Sequence, residues 1–302
     1  MAEQLRIAQI GSNHGHARGK WEALRSNPDV DAVALVEPAD ADSVLSDPSI
    51  VAVAIETRNH QSLSAATRAI AAGKHLWYDK PAGDDFDAFA RLVEEAKRRS
   101  LYVQMGYMFR YSPGFTRVAE LAHSGALGDV FAVRAHMSTN VNLAERTEQS
   151  RHTGGILYDL GGHMLDQIVW LLGRPERVHT VLRNDHTPEL PTYSDNTVAV
   201  LEFARALVTL EIAAMEATPT ARRFEVFGTR GSALLEPFDP ARRIFREAGG
   251  VEELTEVTRQ ALYERELVAF VGMLRGERPP DRSLDHELLV QETLLRVTHA
   301  AD

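Results

Sequence analysis

Five short apolar runs punctuate the first third of the chain: Leu5 to Ile10, Asp31 to Val36, Ile50 to Ile55, His75 to Tyr78 and Leu101 to Met105. Each is four to six residues long and apolar through most of its length, the pattern of a strand covered on both faces. Between them, Gly15 to Ser26, Gln61 to Ala72 and Asp85 to Ser100 carry apolar residues at helical spacing, as in Phe86, Phe89, Ala90, Val93 and Ala96. Strand alternating with helix in this order admits few folds. Parallel neighbours need crossovers, and helix-bearing crossovers are right-handed, so the stretch predicts a doubly wound parallel sheet in an α/β protein.

The rhythm changes after Arg110-Tyr111-Ser112-Pro113. A helix from Phe115 to Ser124 and a strand from Val130 to Met137 precede a polar stretch, Ser138 to Thr153, without a clear period, and a helix from Ile156 to Leu172 follows. Strand-like runs at Arg177 to Leu182, Thr197 to Phe203, Leu207 to Met215 and Phe224 to Phe227, with turn signals between them, predict an antiparallel sheet. Two helices, about Arg259 to Arg275 and Asp285 to His299, are separated by Pro279-Pro280. The expected domains are residues 1–110 and 111–302, with the last helices free to pack back on the first domain. A length of 302 residues with 44% hydrophobic residues suits two such cores.

Composition removes several function classes. A net charge of −10 works against a broad surface for a phosphate backbone, so no nucleic-acid partner is expected. The absence of cysteine excludes disulfides, thiolate metal sites and a cysteine nucleophile. A polar start and the lack of any apolar run of about 18 residues predict a cytoplasmic protein with no membrane partner.

Gly11-Ser12-Asn13-His14-Gly15-His16-Ala17 follows the first strand, with the helix expected from about His14. In a dinucleotide-binding fold the first glycine makes the turn, the second lets backbone approach a pyrophosphate and the third lets helix and strand pack. Only Gly11 stands where that pattern wants glycine; Asn13 and His16 take the other two positions, and an ordinary strand-to-helix turn remains the alternative. Glu37, at the end of the second strand, is placed to accept hydrogen bonds from adenine ribose hydroxyls and to repel a 2′-phosphate, which favours NAD over NADP. A solvated turn residue before Pro38 is its plainer reading. Only thirteen residues, Pro38 to Ile50, join the second and third strands, room for one short helix near Ala41 to Leu45 and a shallow adenine side.

Lys80 of Tyr78-Asp79-Lys80-Pro81 directly follows the fourth strand, at the sheet end where α/β proteins bind ligands. Pro81 holds the lysine in extended geometry, and a compact cation there can stabilise a developing alkoxide; a solvent-facing loop lysine is the alternative. In the helix from Ile156, Asp159, His163, Asp166 and Trp170 fall on one stripe at about 100° per residue. Asp159 and His163, at i and i+4, can meet, so a carboxylate can support a histidine that gains and loses a proton. A solvated polar face is the competing reading. No metal site is expected: the helix would need ligands from elsewhere, and His14 and His16, as alternate residues at a helix start, would not share a face.

In order along the chain, Thr57-Arg58-Asn59, Ala72-Gly73-Lys74-His75, Asp79-Lys80-Pro81, Gly106-Tyr107-Met108-Phe109-Arg110-Tyr111-Ser112-Pro113, Gly125-Ala126-Leu127-Gly128-Asp129-Val130 and the Asp159/His163/Asp166 helix resemble the glucose-fructose oxidoreductase / inositol dehydrogenase / MocA (Gfo/Idh/MocA) family. The resemblance implies an N-terminal Rossmann domain, a C-terminal α/β domain whose large, mostly antiparallel sheet forms a homodimer or homotetramer interface, and NAD or NADP as cofactor. It implies cofactor contacts at Gly11, Ser12, Asn13, His14, Gly15, Glu37, Thr57, Asn59 and Lys80. It also implies a catalytic set of Lys80, Asp159 and His163, with Arg110 and Tyr111 lining the substrate cleft. The implied reaction is hydride transfer between nicotinamide and a secondary alcohol or ketone of a sugar, cyclitol or related polyol. The chain departs from the family pattern at Asn13, His16, Ile156, Asp79 (in place of glutamate) and the short second crossover. Those departures motivate two alternatives: a non-redox ligand-binding or regulatory protein, and an epimerase or eliminase that recycles tightly bound NAD.

Overall fold

A computed structural model describes residues 3–299 apart from 219, 242 and 247–249. The chain divides into two compact units, residues 1–108 with 259–288, and residues 109–258 with 289–302.

The first unit is built on β1 (Leu5–Ile10), α1 (Ala17–Ser26), β2 (Val30–Val36), a 3-10 turn and α2 (Asp42–Leu45), β3 (Ala52–Ile55), α3 (Asn59–Ala71), β4 (His75–Tyr78), α4 (Phe86–Arg98) and β5 (Val103–Met105). The five strands form one parallel sheet in the order β2-β1-β3-β4-β5. The apolar runs are strands because they are covered on both faces: Ile7, Ala8, Val53, Ala54, Leu76 and Trp77 are fully buried. Strand order reverses between β1 and β3, so the loops after β1, β3 and β4 meet at one sheet end, the ligand-binding end of such folds. With only a 3-10 turn and a four-residue helix between them, β2 and β3 leave β2 at the sheet edge, half-covered and with Leu35 exposed.

The second unit contains α5 (Pro113–His123), β6 (Val130–Met137), α6 (Leu143–Gln149), α7 (Ile156–Leu172), β7 (Arg177–Arg183), β8 (Asn196–Glu202), β9 (Leu207–Ala213), β10 (Arg222–Gly228), β11 (Ser232–Leu235), β12 (Arg243–Arg246) and β13 (Val251–Glu253). The eight strands run in the order β13-β12-β11-β10-β6-β9-β8-β7, antiparallel except for β6 against β9. Alternation decides which face is core: Val133, Ala135, Ala199, Leu201, Val208, Leu210 and Ile212 point inward, and α7 lies on β6, β8 and β9. The periodless stretch 138–153 contains α6, a helix too short to show an apolar stripe, started by Asn142 accepting from the Glu145 amide at 3.0 Å. Strands β11 to β13 also lack a sequence signal, each being three or four residues long. Helix α8 (Arg259–Leu274) packs on α1 in the first unit, and the division between units falls within α9 (Leu284–Thr298). No described helix is long and apolar enough to cross a membrane.

Candidate active site

The loop after β1 is shaped by backbone crowding. Gly11 has φ +96°, and a Cβ on it would stand 2.7 Å from the carbonyl of Glu56 and the amide of Thr57, so no side chain fits where β1 and β3 end together. Ser12, Asn13 and Gly15 are exposed beyond it. Ser12 Oγ donates to Glu37 Oε1 at 2.5 Å and Asn13 Nδ2 to Glu37 Oε2 at 3.3 Å, which fixes the acidic group at the end of β2 against the loop. Thr57 is buried and its hydroxyl donates to the Arg58 carbonyl, while Asn59 opens α3.

Helix α1 begins at Ala17, about one turn later than predicted, and His14 and His16 lie before it. Freed from helical geometry, both imidazoles turn to one carboxylate: His16 Nδ1 lies 2.9 Å and His14 Nδ1 3.2 Å from Asp79 Oδ2. This corrects the expectation that the two histidines cannot share a face. The His14 amide donates to the Glu56 carbonyl, and its ring faces Asp79 and Glu56. His16 and Asp79, two of the departures noted in the sequence, are thus partners.

Asp79 joins a buried ionic cluster that sequence reasoning missed. Lys20 Nζ lies 3.3 Å from the same Asp79 oxygen, 3.2 Å from Glu56 Oε1 and 3.8 Å from Glu266 Oε2, and sits 4.5 Å from the Trp77 ring centroid. Lys20, Glu56 and Glu266 are fully buried. Burial opposes every charge here, so ionisation follows whichever neighbours outweigh it. For His14 burial is outweighed by Asp79 and then Glu56, and its pKa rises to about 9. For His16 burial wins over Asp79, and His14 and Lys80 add repulsion, so its pKa falls to about 4. Burial and the Asp79 charge hold Glu56 up at about 7, against Lys20; burial also raises Glu266 to about 7, with Lys20 opposing. Of the three carboxylates around Lys20, Asp79 alone overcomes its burial, through Lys20, His14 and His16, and stays well below the usual carboxylate range. The ligand atoms of His14, His16 and Asp79 lie within 4.8 Å of one another, a set close enough for a metal ion that sequence spacing did not suggest. Lys20 occupies the same Asp79 oxygen, so the cluster already holds an internal cation there.

The other oxygen of Asp79 accepts from the Lys80 amide at 2.7 Å, tying the cluster to the turn that carries Lys80. Lys80 is buried, which removes the reading of a solvent-facing loop lysine.

In the second unit α7 is buried around most of its circumference, so the reading of a solvated polar face also falls. Asp159 Oδ2 accepts from Gln149 Nε2 at 2.9 Å, and His163, one turn on, is 2% exposed with its ring edge-on to Phe109 at 5.2 Å. Asp166 has a different role from Asp159: both its oxygens accept from Arg110 Nε at 3.0 Å, Arg110 Nη2 adds 2.7 Å, and Gln167 donates at 2.8 Å. Arg110, expected to line a substrate cleft, is instead buried against this carboxylate, because a guanidinium and a carboxylate with no water between them need each other. Tyr111 ends the adjoining 3-10 turn and is half-buried.

Residues 17–107 match the oxidoreductase family with an NAD-binding Rossmann fold, and residues 115–234 match the GFO/IDH/MocA C-terminal domain. The chain belongs to the Gfo/Idh/MocA oxidoreductase family. It is 29% identical over 281 residues to the uncharacterised oxidoreductase ORF334 of Rhizobium meliloti, covering 86% of this chain and 80% of that one. It is also 29% identical over 242 residues to trans-1,2-dihydrobenzene-1,2-diol dehydrogenase of Oryctolagus cuniculus, covering 78% of this chain and 66% of that enzyme. GenD2 from gentamicin A biosynthesis, solved in complex with NAD, shares its fold with a TM-score of 0.83 at 24% identity over 97% of this chain and 93% of that one. A Sinorhizobium meliloti 1021 protein described as a putative myo-inositol dehydrogenase superposes with a TM-score of 0.81 at 19% identity, covering 99% and 96%.

Proposed function

We propose that this Gfo/Idh/MocA oxidoreductase moves a hydride between a nicotinamide cofactor, with NAD preferred over NADP, and a secondary alcohol or ketone of a sugar, cyclitol or related polyol. The observation that carries the reading is the pair one turn apart on α7, a half-buried Asp159 held by Gln149 and a buried His163. A carboxylate one helical turn from a buried imidazole is a means of supporting a proton that the ring exchanges.

The residues fit a dinucleotide. Gly11 leaves the loop floor bare where a Cβ would collide, and Glu37 is braced by Ser12 and Asn13 at the end of β2. Gly11, Ser12, Asn13, Gly15, Glu37, Thr57 and Asn59 would hold the cofactor, and the bound nicotinamide supplies the hydride acceptor or donor. His163 takes the hydroxyl proton when an alcohol is oxidised and returns it when a ketone is reduced. Asp159 supports the charge His163 gains, and Lys80 steadies the reacting oxygen. The substrate class draws support from the diol dehydrogenase relative and the inositol-dehydrogenase-like neighbour.

Self-association through the eight-stranded sheet belongs to the same proposal. Its face away from α7 carries Val181, Val198 and Leu207 at 58%, 37% and 59% exposed, more apolar surface than a lone strand face needs.

The test is NADH formation, followed by nicotinamide absorbance, when the purified protein is given NAD and a panel of sugars and cyclitols. Steady turnover on a member of the panel is expected. Tight NAD binding with no net redox change on any of them would instead favour recycling chemistry.

A further inference from the structure

Three elements of the second unit converge on Asp159. Gln149 is the last residue of α6, Tyr193 lies in the connection before β8, and Asp159 is in the first turn of α7. Tyr193 Oη donates to Gln149 Oε1 at 2.5 Å, and Gln149 Nε2 donates to Asp159 Oδ2 at 2.9 Å. Tyr193 is 1% exposed and Gln149 9% exposed.

The order of donors is forced. An ionised carboxylate only accepts, so the amide must present its NH2 to Asp159, and its oxygen is left for Tyr193. Tyr193 keeps its proton to donate there, because burial holds its phenol above the usual range; Arg146 opposes this, while Asp159 and Asp195 add to it. Turning the amide over would set its oxygen against the carboxylate oxygen. By donating to the amide oxygen, Tyr193 holds the amide in the sense that suits a charged Asp159.

The lock is itself anchored. Gly155, φ +50°, starts α7 where a Cβ would stand 2.8 Å from the Tyr193 ring and 2.6 Å from the Ser194 carbonyl, so only glycine lets the tyrosine reach under the helix. From α6, Arg146 donates to the carbonyls of Val141 and Ala214 and to Thr187 Oγ1, at 2.8, 2.9 and 2.7 Å, which fixes the helix that carries Gln149.

We propose that Gln149, clamped by Tyr193, is a positioning residue that keeps Asp159 ionised and aimed. It is supplied by the polar stretch 138–153, which thereby acts on the catalytic helix. The proposal rests on the reading of Asp159 as the partner of the proton-exchanging His163, and the experiment separates the two.

In protein labelled with 13C at the aspartate carboxyl, the Asp159 signal is identified by its loss in Asp159→Asn and then titrated. Gln149→Met removes the donated hydrogen bond and moves the Asp159 midpoint up by about one pH unit. Gln149→Glu, nearly isosteric, sets a second carboxyl against Asp159 and moves it further, and this variant decides the question if the methionine one fails to fold. Tyr193→Phe gives a smaller shift in the same direction. The acid limb of kcat follows the midpoint, while affinity for NADH stays within twofold. An Asp159 midpoint unchanged in folded Gln149→Met and Gln149→Glu overturns the proposal, even if both variants melt earlier. A midpoint that moves without the turnover profile sustains the positioning role and removes Asp159 from the chemistry.

Discussion

The two units bury charge in opposite ways. Beneath the loop after β1, Lys20 faces Asp79, Glu56 and Glu266 at once, two histidines share one carboxylate oxygen, and no group there ionises independently of its neighbours. Along α7 the polar groups are paired off: Arg110 with Asp166, and Tyr193 through Gln149 with Asp159. In the first arrangement each group's ionisation is set by the charges beside it. The second fixes individual side chains so that one carboxylate and one imidazole can be singled out. The difference teaches that buried polarity alone does not mark the chemistry; what distinguishes Asp159 is that a neutral, directional donor, Gln149, is set against it.

Removing the central cation should break the contrast most visibly. Lys20→Met leaves three buried carboxylates facing one another, and is expected to cost roughly 3–5 kcal/mol in urea unfolding. Gln149→Met, which removes one neutral donor, should cost about 1–2 kcal/mol by the same measurement. Equal losses would mean that the ionic cluster is not held together by Lys20.

The pH response sharpens the comparison. His14 is raised to about 9 from an ordinary value of 6.5, so the folded state holds its proton more tightly than the unfolded chain does. That stabilisation is fully present below about pH 6.5 and is lost as pH rises through 9, a fall of roughly 3 kcal/mol. His14→Gln should flatten unfolding free energy over that window. A slope that survives the substitution would assign it elsewhere.

The smallest effect concerns the cofactor. Glu37→Gln keeps the size of the side chain and removes its charge, so NADH affinity should fall about tenfold by calorimetry, roughly 1.4 kcal/mol, while NADPH affinity rises. Unchanged preference would leave Glu37 as a brace for Ser12 and Asn13 only.

Much of the scaffold is legible in the sequence because long-range order is written in local pattern. Helix α7 and strand β6 match their sequence patterns to the residue, the first from an apolar helical run and the second from alternation between a glycine turn and a polar stretch. Helix α6 is hidden because seven residues anchored at their ends need no apolar stripe. Asp159 and His163 can be read as a pair because one helix sets their spacing. The ionic cluster cannot, since residues 20, 56, 79 and 266 meet only through the sheet. One signal is available: Glu266 falls on the helical stripe of Leu262, Ala269, Phe270 and Met273, where a charge must find a buried partner. Arg110 differs from expectation for a related reason, because Asp166 reads as part of a single chemical face with Asp159 when its carboxylate in fact serves the arginine.

The central claim is that His163 exchanges the substrate proton in a nicotinamide-dependent redox reaction. It is tested most directly by comparing His163→Ala with the unmodified protein in turnover, on the sugar or cyclitol that gives the highest rate, and in NADH affinity. A loss of about 10²- to 10⁴-fold in kcat is expected, with NADH affinity unchanged within twofold. Turnover retained at the level of the unmodified protein, with the same NADH affinity, would contradict it.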